Sequence, residues 1–235
     1  MNIISANRMS VLTYVRTDMY LPKGHKRENY DGITRFQRFD CPDTDIRITL
    51  LTVKETGEAQ KYCEAIEGAV RRVISVYATR PIGIRLYLLP AGFEFHERHA
   101  SLGMVSPTLN LVAPIFEDHK KTLGNIVDLV SHESFHLMGY IAGDNRAADE
   151  HFAYWMGVCS QLSVLGEVRP ETMPGGAIET DNDVFAQSSS AASVVRREVW
   201  PYSVDGEIQR ANVKGVAMLE KCKELFSGQF KTPVK

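Results

Sequence analysis

Two histidines and a glutamate fall within five consecutive residues, His132-Glu133-Ser134-Phe135-His136, which form the pattern HExxH. Residues four apart on a helix lie one turn apart on nearly the same face, so both imidazoles can bind a single zinc ion. Glu133 stands beside them, and a carboxylate there can act as general base on a zinc-bound water, whose pKa falls to about 7 in catalytic sites. The spacing therefore predicts a zinc site with hydrolytic chemistry.

A third ligand is needed, because catalytic zinc sites usually have three protein ligands and one open position. The extended metzincin pattern would place a His or Asp six residues after His136, but Ala142 occupies that position. A glutamate from the next helix is the alternative. The turn at residues 143–144 lies about midway between His136 and Glu150, so a chain that climbs about 10 Å and returns about 9 Å brings Glu150 level with the histidines. Asp149 is the competing ligand.

The HExxH segment, together with the DEHFAY sequence at residues 149–154, resembles the gluzincin metallopeptidases, whose aminopeptidase branch carries the second-helix motif NEGFAxY. Glu150, Phe152 and Ala153 match that motif. The resemblance implies a zincin fold, a zinc cofactor and peptide-bond hydrolysis. His151 replaces the glycine of the motif, the interval from His136 to Glu150 is shorter than in that branch, and no GxMEN-type segment precedes it. A compact gluzincin is therefore the expectation, without aminopeptidase specificity.

Three further histidines are not assigned to the metal. His96 and His99 have HxxH spacing but no acidic partner pattern nearby, so we expect them in a solvated loop. His151 follows Glu150 directly, and adjacent residues on a helix point about 100° apart. We therefore expect His151 on the helix surface or on the wall of a cleft.

Two supporting roles each have several candidates. A metal-binding histidine usually needs an acceptor for its other ring nitrogen, and the nearest carboxylates along the chain are Asp128, Asp144 and Asp149. A donor to the developing oxyanion should come from the C-terminal part of the chain, where the candidates are Tyr202, Arg196 and Arg197. The sequence does not choose among them.

The elements that must position these residues predict an α+β fold, and the gluzincin resemblance implies that it is zincin-like. It has a small mixed-sheet lobe, a mainly helical C-terminal lobe and the active-site helix between them. Hydrophobic periodicity predicts strands at 45–53, 83–89, 102–105 and 109–113, and helices at 58–77, from 119 to the break at 143, 146–165, 183–198 and 205–226. Asp144 or Asn145 is the expected N-cap of the 146–165 helix. Residues 1–40 are predicted as an irregular arm, 41–142 as the sheet lobe with the active-site helix, and 143–235 as the helical lobe.

Composition excludes several classes of function. The 27 Lys and Arg against 29 Asp and Glu give a net charge of −2, so no nucleic-acid partner is expected. Residues 1–20 hold no apolar run long enough for a signal-peptide core, and no run elsewhere reaches the length of a membrane span. The expectation is therefore a cytoplasmic protein or one exported by a leaderless route. The four cysteines are scattered without a CxxC pair, which suits reduced thiols in a cytoplasm.

The sequence as a whole predicts a zinc metallopeptidase that binds a peptide or protein substrate. Its metal ligands are His132, His136 and Glu150, and Glu133 is the base. The substrate would lie beside the strand at 109–113, because an exposed sheet edge can pair with a peptide backbone. The rival is a non-catalytic zincin-like domain that binds a protein partner and keeps zinc as a structural ion closed by a fourth protein ligand. A peptidase that acts on one cellular target, such as a toxin or effector, is a third possibility.

Overall fold

Strands dominate the first half of the described chain and helices the second. The computed structural model describes residues 37–42, 45–52, 57–77, 83–90, 102–103, 106–174 and 190–226. In chain order the strands and helices are β1 (Gln37–Asp40), β2 (Arg47–Thr52), α1 (Ala59–Tyr77), β3 (Gly83–Pro90), β4 (Leu102–Gly103), β5 (Ser106–Ile115), α2 (His119–Ile141), α3 (Glu150–Val164), β6 (Glu167–Val168), α4 (Ala191–Val199), β7 (Ile208–Gln209) and α5 (Val213–Phe226). Three short 3-10 helices span Asn145–Ala148, Pro170–Thr172 and Trp200–Tyr202.

Five strands form a mixed sheet in the order β1-β2-β3-β5-β4. The central strands β2, β3 and β5 run parallel, and β1 and β4 are antiparallel at the edges. The register aligns Ile48 with Ile84 and Ile84 with Leu109, so alternate apolar side chains of the three parallel strands share one buried face. The predicted α+β class with a small mixed sheet is confirmed.

The first two helices cover this face of the sheet. Parallel strands need a crossover connection, and α1 supplies the one between β2 and β3. Helix α2 packs against both α1 and β5. Asp118 begins α2 as its N-cap, with its Oδ1 atom 2.9 Å from the backbone nitrogen of Lys120. The helix ends at the predicted break, where Gly143 has a φ of +72°.

Helix α3 lies among the other helices, in contact with α1, α2, α4 and α5. A disulfide between Cys159 and Cys222 joins α3 to α5, and a second between Cys41 and Cys63 joins the residue after β1 to α1. The Cα atoms of the two pairs are 5.8 Å and 5.6 Å apart. The expectation of reduced thiols is therefore wrong, because cysteines far apart along a chain can meet in space. No helix in the described ranges is both long and apolar enough to cross a bilayer.

Two predicted helices begin later than expected. The 146–165 helix is divided into the 3-10 segment Asn145–Ala148 and α3, so Asp144 caps the first and Asp149 the second. The 205–226 helix starts at Val213, because residues 208–209 pair with β6 instead. The predicted helix at 183–198 is described from residue 191, and its first part lies outside the described residues, as do residues 1–36 of the predicted arm.

Candidate metal centre

Three side chains from two helices bring their ligand atoms together. His132 and His136 lie one turn apart on α2, and their Nε2 atoms are 3.2 Å apart. Glu150 reaches them from the first turn of α3, with Oε2 at 3.1 Å from Nε2 of His132 and Oε1 at 3.4 Å from Nε2 of His136. These residues are called the His-His-Glu group below. In the part of the chain that the structure describes, it is the cluster of His, Cys, Asp or Glu side chains that fits a metal ion.

The His-His-Glu group is buried on one side and open on the other. The side chain of His132 is 4% exposed and that of His136 is 22% exposed, whereas Glu150 is 55% exposed. The protein therefore encloses the histidines and leaves the carboxylate side accessible to solvent. An ion at this position would be reachable by a small molecule or a peptide.

The second ring nitrogen of His136 has a defined partner. Its Nδ1 atom lies 2.5 Å from the backbone oxygen of Ala147. A carbonyl oxygen can only accept a hydrogen bond, so Nδ1 carries the hydrogen and Nε2 presents its lone pair to the group. That tautomer is the one a metal-binding histidine requires. The three side chains could hold a metal ion.

Comparison of the chain with protein-family models, with curated proteins and with solved structures finds no match. The chemistry of the His-His-Glu group therefore has to be inferred from its own residues and their surroundings.

The carboxylates expected as acceptors for the histidine rings have other partners. Asp144 accepts a hydrogen bond from Tyr77, Asp149 accepts one from the backbone nitrogen of His151, and Asp128 accepts one from Gln161. The partner of His136 is a backbone carbonyl, which residue types alone do not reveal. The Nδ1 atom of His132 is buried and has no hydrogen-bond partner within the described residues.

The other residues predicted for the site lie outside the His-His-Glu group. Glu133 lies in α2 next to His132 and is 9% exposed. His151 points away from the group, and its Nε2 atom lies 2.8 Å from Oε2 of Glu198. Arg196 and Arg197 lie in the last turn of α4, and burial lowers the pKa of Arg196.

Tyr202 ends a 3-10 helix outside the His-His-Glu group, and His96 and His99 lie outside the described residues. Sequence reasoning missed Tyr154, whose ring meets the ring of His132 edge-on with centroids 4.6 Å apart. Tyr154 follows Glu150 by four residues, so its position one helical turn further along α3 was the signal that could have found it.

A cavity of about 470 Å³ adjoins His136 on the side of the turn between α2 and α3. Its lining is largely apolar and includes Leu137, Tyr140, Ala147 and Ala148. Ligand pockets usually have volumes of roughly 300–1,000 Å³. The cavity is therefore large enough to receive a bulky side chain or a small molecule next to His136.

Proposed function

We propose that the chain is a zinc-dependent peptidase of the zincin type, with zinc held by the His-His-Glu group and Glu133 as general base. The geometry of the group carries the proposal. A tetrahedral zinc ion with ligands at about 2.0–2.1 Å separates any two ligand atoms by about 3.3 Å. The three separations of 3.1, 3.2 and 3.4 Å match that value closely.

The donor set also fits catalytic rather than structural zinc. Two imidazoles and one carboxylate are a known ligand set of catalytic zinc, in which water or substrate occupies the fourth position. The described residues add no fourth His, Cys, Asp or Glu to the group. It is the donor set of two imidazoles and one carboxylate that supports the enzyme over the rival hypothesis of a zincin-like domain with a structural ion.

The chain's own residues supply the remaining chemistry. Zinc bound here would supply Lewis acidity toward water and toward a peptide carbonyl. Glu133 would accept a proton from the attacking water and then deliver it to the leaving amine. Its position next to His132, at the edge of solvent access, suits a base that works at a partly enclosed site.

The sheet offers a place for an extended substrate. Strand β5 pairs with β3 along its length, but β4 pairs only with residues 106–107 on the other side. Within the described residues, the rest of that edge of β5 has no strand partner. An extended peptide can add to such an edge through backbone hydrogen bonds. Helix α2 packs against β5, so a peptide on this edge would lie near the proposed metal.

The order of elements supports the finer zincin-like fold and the gluzincin resemblance. A mixed sheet with a helix crossover between parallel strands precedes the helix with HExxH, and Glu150 lies on the following helix. This is the arrangement that the resemblance implies. The substrate would be a peptide or protein, and zinc would be the cofactor.

The test is a Glu133→Gln variant assayed on a mixture of fluorogenic peptides together with its zinc content. We expect hydrolysis to fall by about 10²- to 10⁴-fold, because general-base catalysis contributes that much, while zinc stoichiometry stays at the parental value. Glu220→Gln, an exposed position on α5, is the matched control.

Undiminished turnover in Glu133→Gln would refute the proposed mechanism. A parent that binds one zinc ion but cleaves no peptide in the mixture would favour the non-catalytic alternative.

A further inference from the structure

The turn between α2 and α3 carries the carbonyl that orients His136. Ala147 lies in the 3-10 segment of this turn and is 7% exposed. Its backbone oxygen accepts the hydrogen of Nδ1 of His136, so the position of the turn sets the direction in which Nε2 points. Any contact that holds the turn in place therefore also holds the imidazole of His136 in its orientation.

Asp144 stabilises the turn through hydrogen bonds to other residues of the turn itself. Its Oδ1 atom accepts hydrogen bonds from the backbone nitrogen and from Nε of Arg146, both at 3.0 Å. Its own backbone oxygen accepts a hydrogen bond from the nitrogen of Ala147 at 2.9 Å. Burial alone would raise the pKa of Asp144, but the hydrogen bonds from Arg146 lower it, so the carboxylate stays charged at neutral pH.

Tyr77 contacts the turn from a different element, helix α1. It is the last residue of α1, and its hydroxyl donates to Oδ2 of Asp144 at 3.1 Å. Its ring packs against Phe135, with ring centroids 5.4 Å apart. Burial raises the pKa of Tyr77, so the hydroxyl keeps its proton and remains a donor.

There is little free space between these groups. A Cβ atom built on Gly139 would lie 2.7 Å from Cβ of Ala147 and 2.7 Å from the hydroxyl of Tyr77. Contacts this close mean that the turn, α1 and α2 meet without a gap. A shift of Tyr77 therefore has to move the turn.

We infer that Tyr77 and Asp144 are positioning residues for the metal ligand His136 and act through the carbonyl of Ala147. The inference rests on the proposed function as far as the metal is concerned. The chain of contacts runs from the end of α1 through the carboxylate to the turn and then to the imidazole. Neither residue belongs to the His-His-Glu group.

The test measures two quantities in the parent, Tyr77→Phe, Asp144→Ala and Asp144→Asn. The first is zinc affinity, by competition with a chelator, and the second is the imidazole Nδ1–H signal of His136 in the metal-free protein, by NMR. We expect Tyr77→Phe and Asp144→Ala to lower zinc affinity about 10- to 100-fold, the range typical of residues that support a metal ligand. Asp144→Asn should recover part of the loss, because asparagine also caps a helix.

Tyr62→Phe is the matched control, because Tyr62 is a buried tyrosine of α1 like Tyr77, but its hydroxyl lies 3.4 Å from Nδ1 of His119 and not at the turn. Its zinc affinity and its Nδ1–H signal should equal those of the parent. The Nδ1–H signal should broaden or exchange faster with water in Tyr77→Phe.

A purely structural role would give a different result. Tyr77→Phe would then lower the melting temperature of the metal-free protein while zinc affinity and the Nδ1–H signal stayed unchanged, and the inference would be overturned. If the parent bound no zinc, the proposed function would fail, but the Nδ1–H signal would still decide whether Tyr77 positions His136.

Discussion

At the scale of single residues, two adjacent carboxylates have different tasks. Glu150 contacts both histidines of the His-His-Glu group, with its oxygens 3.1 and 3.4 Å from their Nε2 atoms. Asp149 instead caps α3, with Oδ1 at 2.9 Å from the backbone nitrogen of His151. The cap places Glu150 in the first helical turn, so the two residues are coupled although only one contacts the histidines.

Replacing each carboxylate separately should therefore have separate consequences. We expect Glu150→Ala to remove most zinc binding, because it deletes a proposed ligand. Asp149→Ala should lower the free energy of unfolding by about 1 kcal/mol through loss of the cap, with zinc affinity falling 10- to 100-fold at most. Chelator competition and urea unfolding of the metal-free protein measure the two effects. Loss of zinc in Asp149→Ala with retention in Glu150→Ala would reverse the assignment.

Tyr77 should make stability depend on pH in the alkaline range. Burial raises the pKa of Tyr77 in the folded protein, whereas the unfolded chain keeps an ordinary value of about 10. The stabilisation is therefore complete below pH 10 and is lost as the pH rises above it, since the unfolded chain then releases the proton first. The melting temperature of the parent should fall more steeply above about pH 10 than that of Tyr77→Phe, because the folded protein keeps the tyrosine proton to a higher pH than the unfolded chain does. Equal slopes would contradict this prediction.

Residue types predicted the His-His-Glu group but not what orients it. The HExxH spacing and the distance to Glu150 reflect helical geometry, which is local and therefore visible in a sequence. The partner of His136 is a backbone carbonyl, and every residue has one, so no residue type marks it. The edge-on contact of Tyr154 with His132 depends on how two helices pack, which is equally invisible.

At the scale of elements, the close approach of α2 and α3 depends on glycine. Gly157 on α3 faces Asp128 on α2, and a Cβ atom built on Gly157 would clash with the Oδ1 atom of Asp128 and lie 3.3 Å from its backbone oxygen. Ala153, one turn earlier, is fully buried. The small residues at these positions let α3 come near enough for its first turn to reach the histidines.

Gly157→Ala should push these helices apart. We expect a loss of about 1–3 kcal/mol in the free energy of unfolding, the usual cost of overpacking, together with weaker zinc binding. Gly57→Ala is the control, because a Cβ atom there would meet nothing within 4 Å. Parental stability and zinc affinity in Gly157→Ala would show that the helices adjust freely.

Periodicity predicted the elements that depend on local pattern and misplaced those that depend on distant pairing. Helices α1 and α2 carry apolar residues at helical spacing, and both lie where they were predicted. Helix α5 was predicted from residue 205, but residues 208–209 pair with residues 167–168 some forty positions earlier. The turn before that pairing places Asp205 and Gly206 at positive φ, which ends any helix there.

At the scale of the whole molecule, the two disulfides close covalent loops of different length. Cys159 and Cys222 are 63 residues apart, and Cys41 and Cys63 are 22 apart. The chain-entropy estimate gives about 4 kcal/mol of stabilisation for the longer loop and about 3 kcal/mol for the shorter. Disulfides persist in oxidising compartments, which the expectation of reduced thiols did not allow for.

Removing the disulfides one at a time should show which of them stabilises the protein more. We expect the double variant Cys159→Ala/Cys222→Ala to lose more stability in urea unfolding than Cys41→Ala/Cys63→Ala, because the longer loop restricts the unfolded chain more. Thiol-blocking reagents should label none of the four cysteines in the native parent. Free thiols on all four cysteines of protein purified without reductant would contradict the pairing.

The bond between Cys159 and Cys222 has a consequence for chain integrity. It joins the helix that supplies Glu150 to the last helix of the described chain, across the intervening peptide bonds. A single backbone cut at any of those bonds would leave one covalent molecule, which migrates as an intact band on a gel without reductant and as two fragments with it. A nicked molecule would thus keep Glu150 and the C-terminal helix tethered, and reduction would release them from each other.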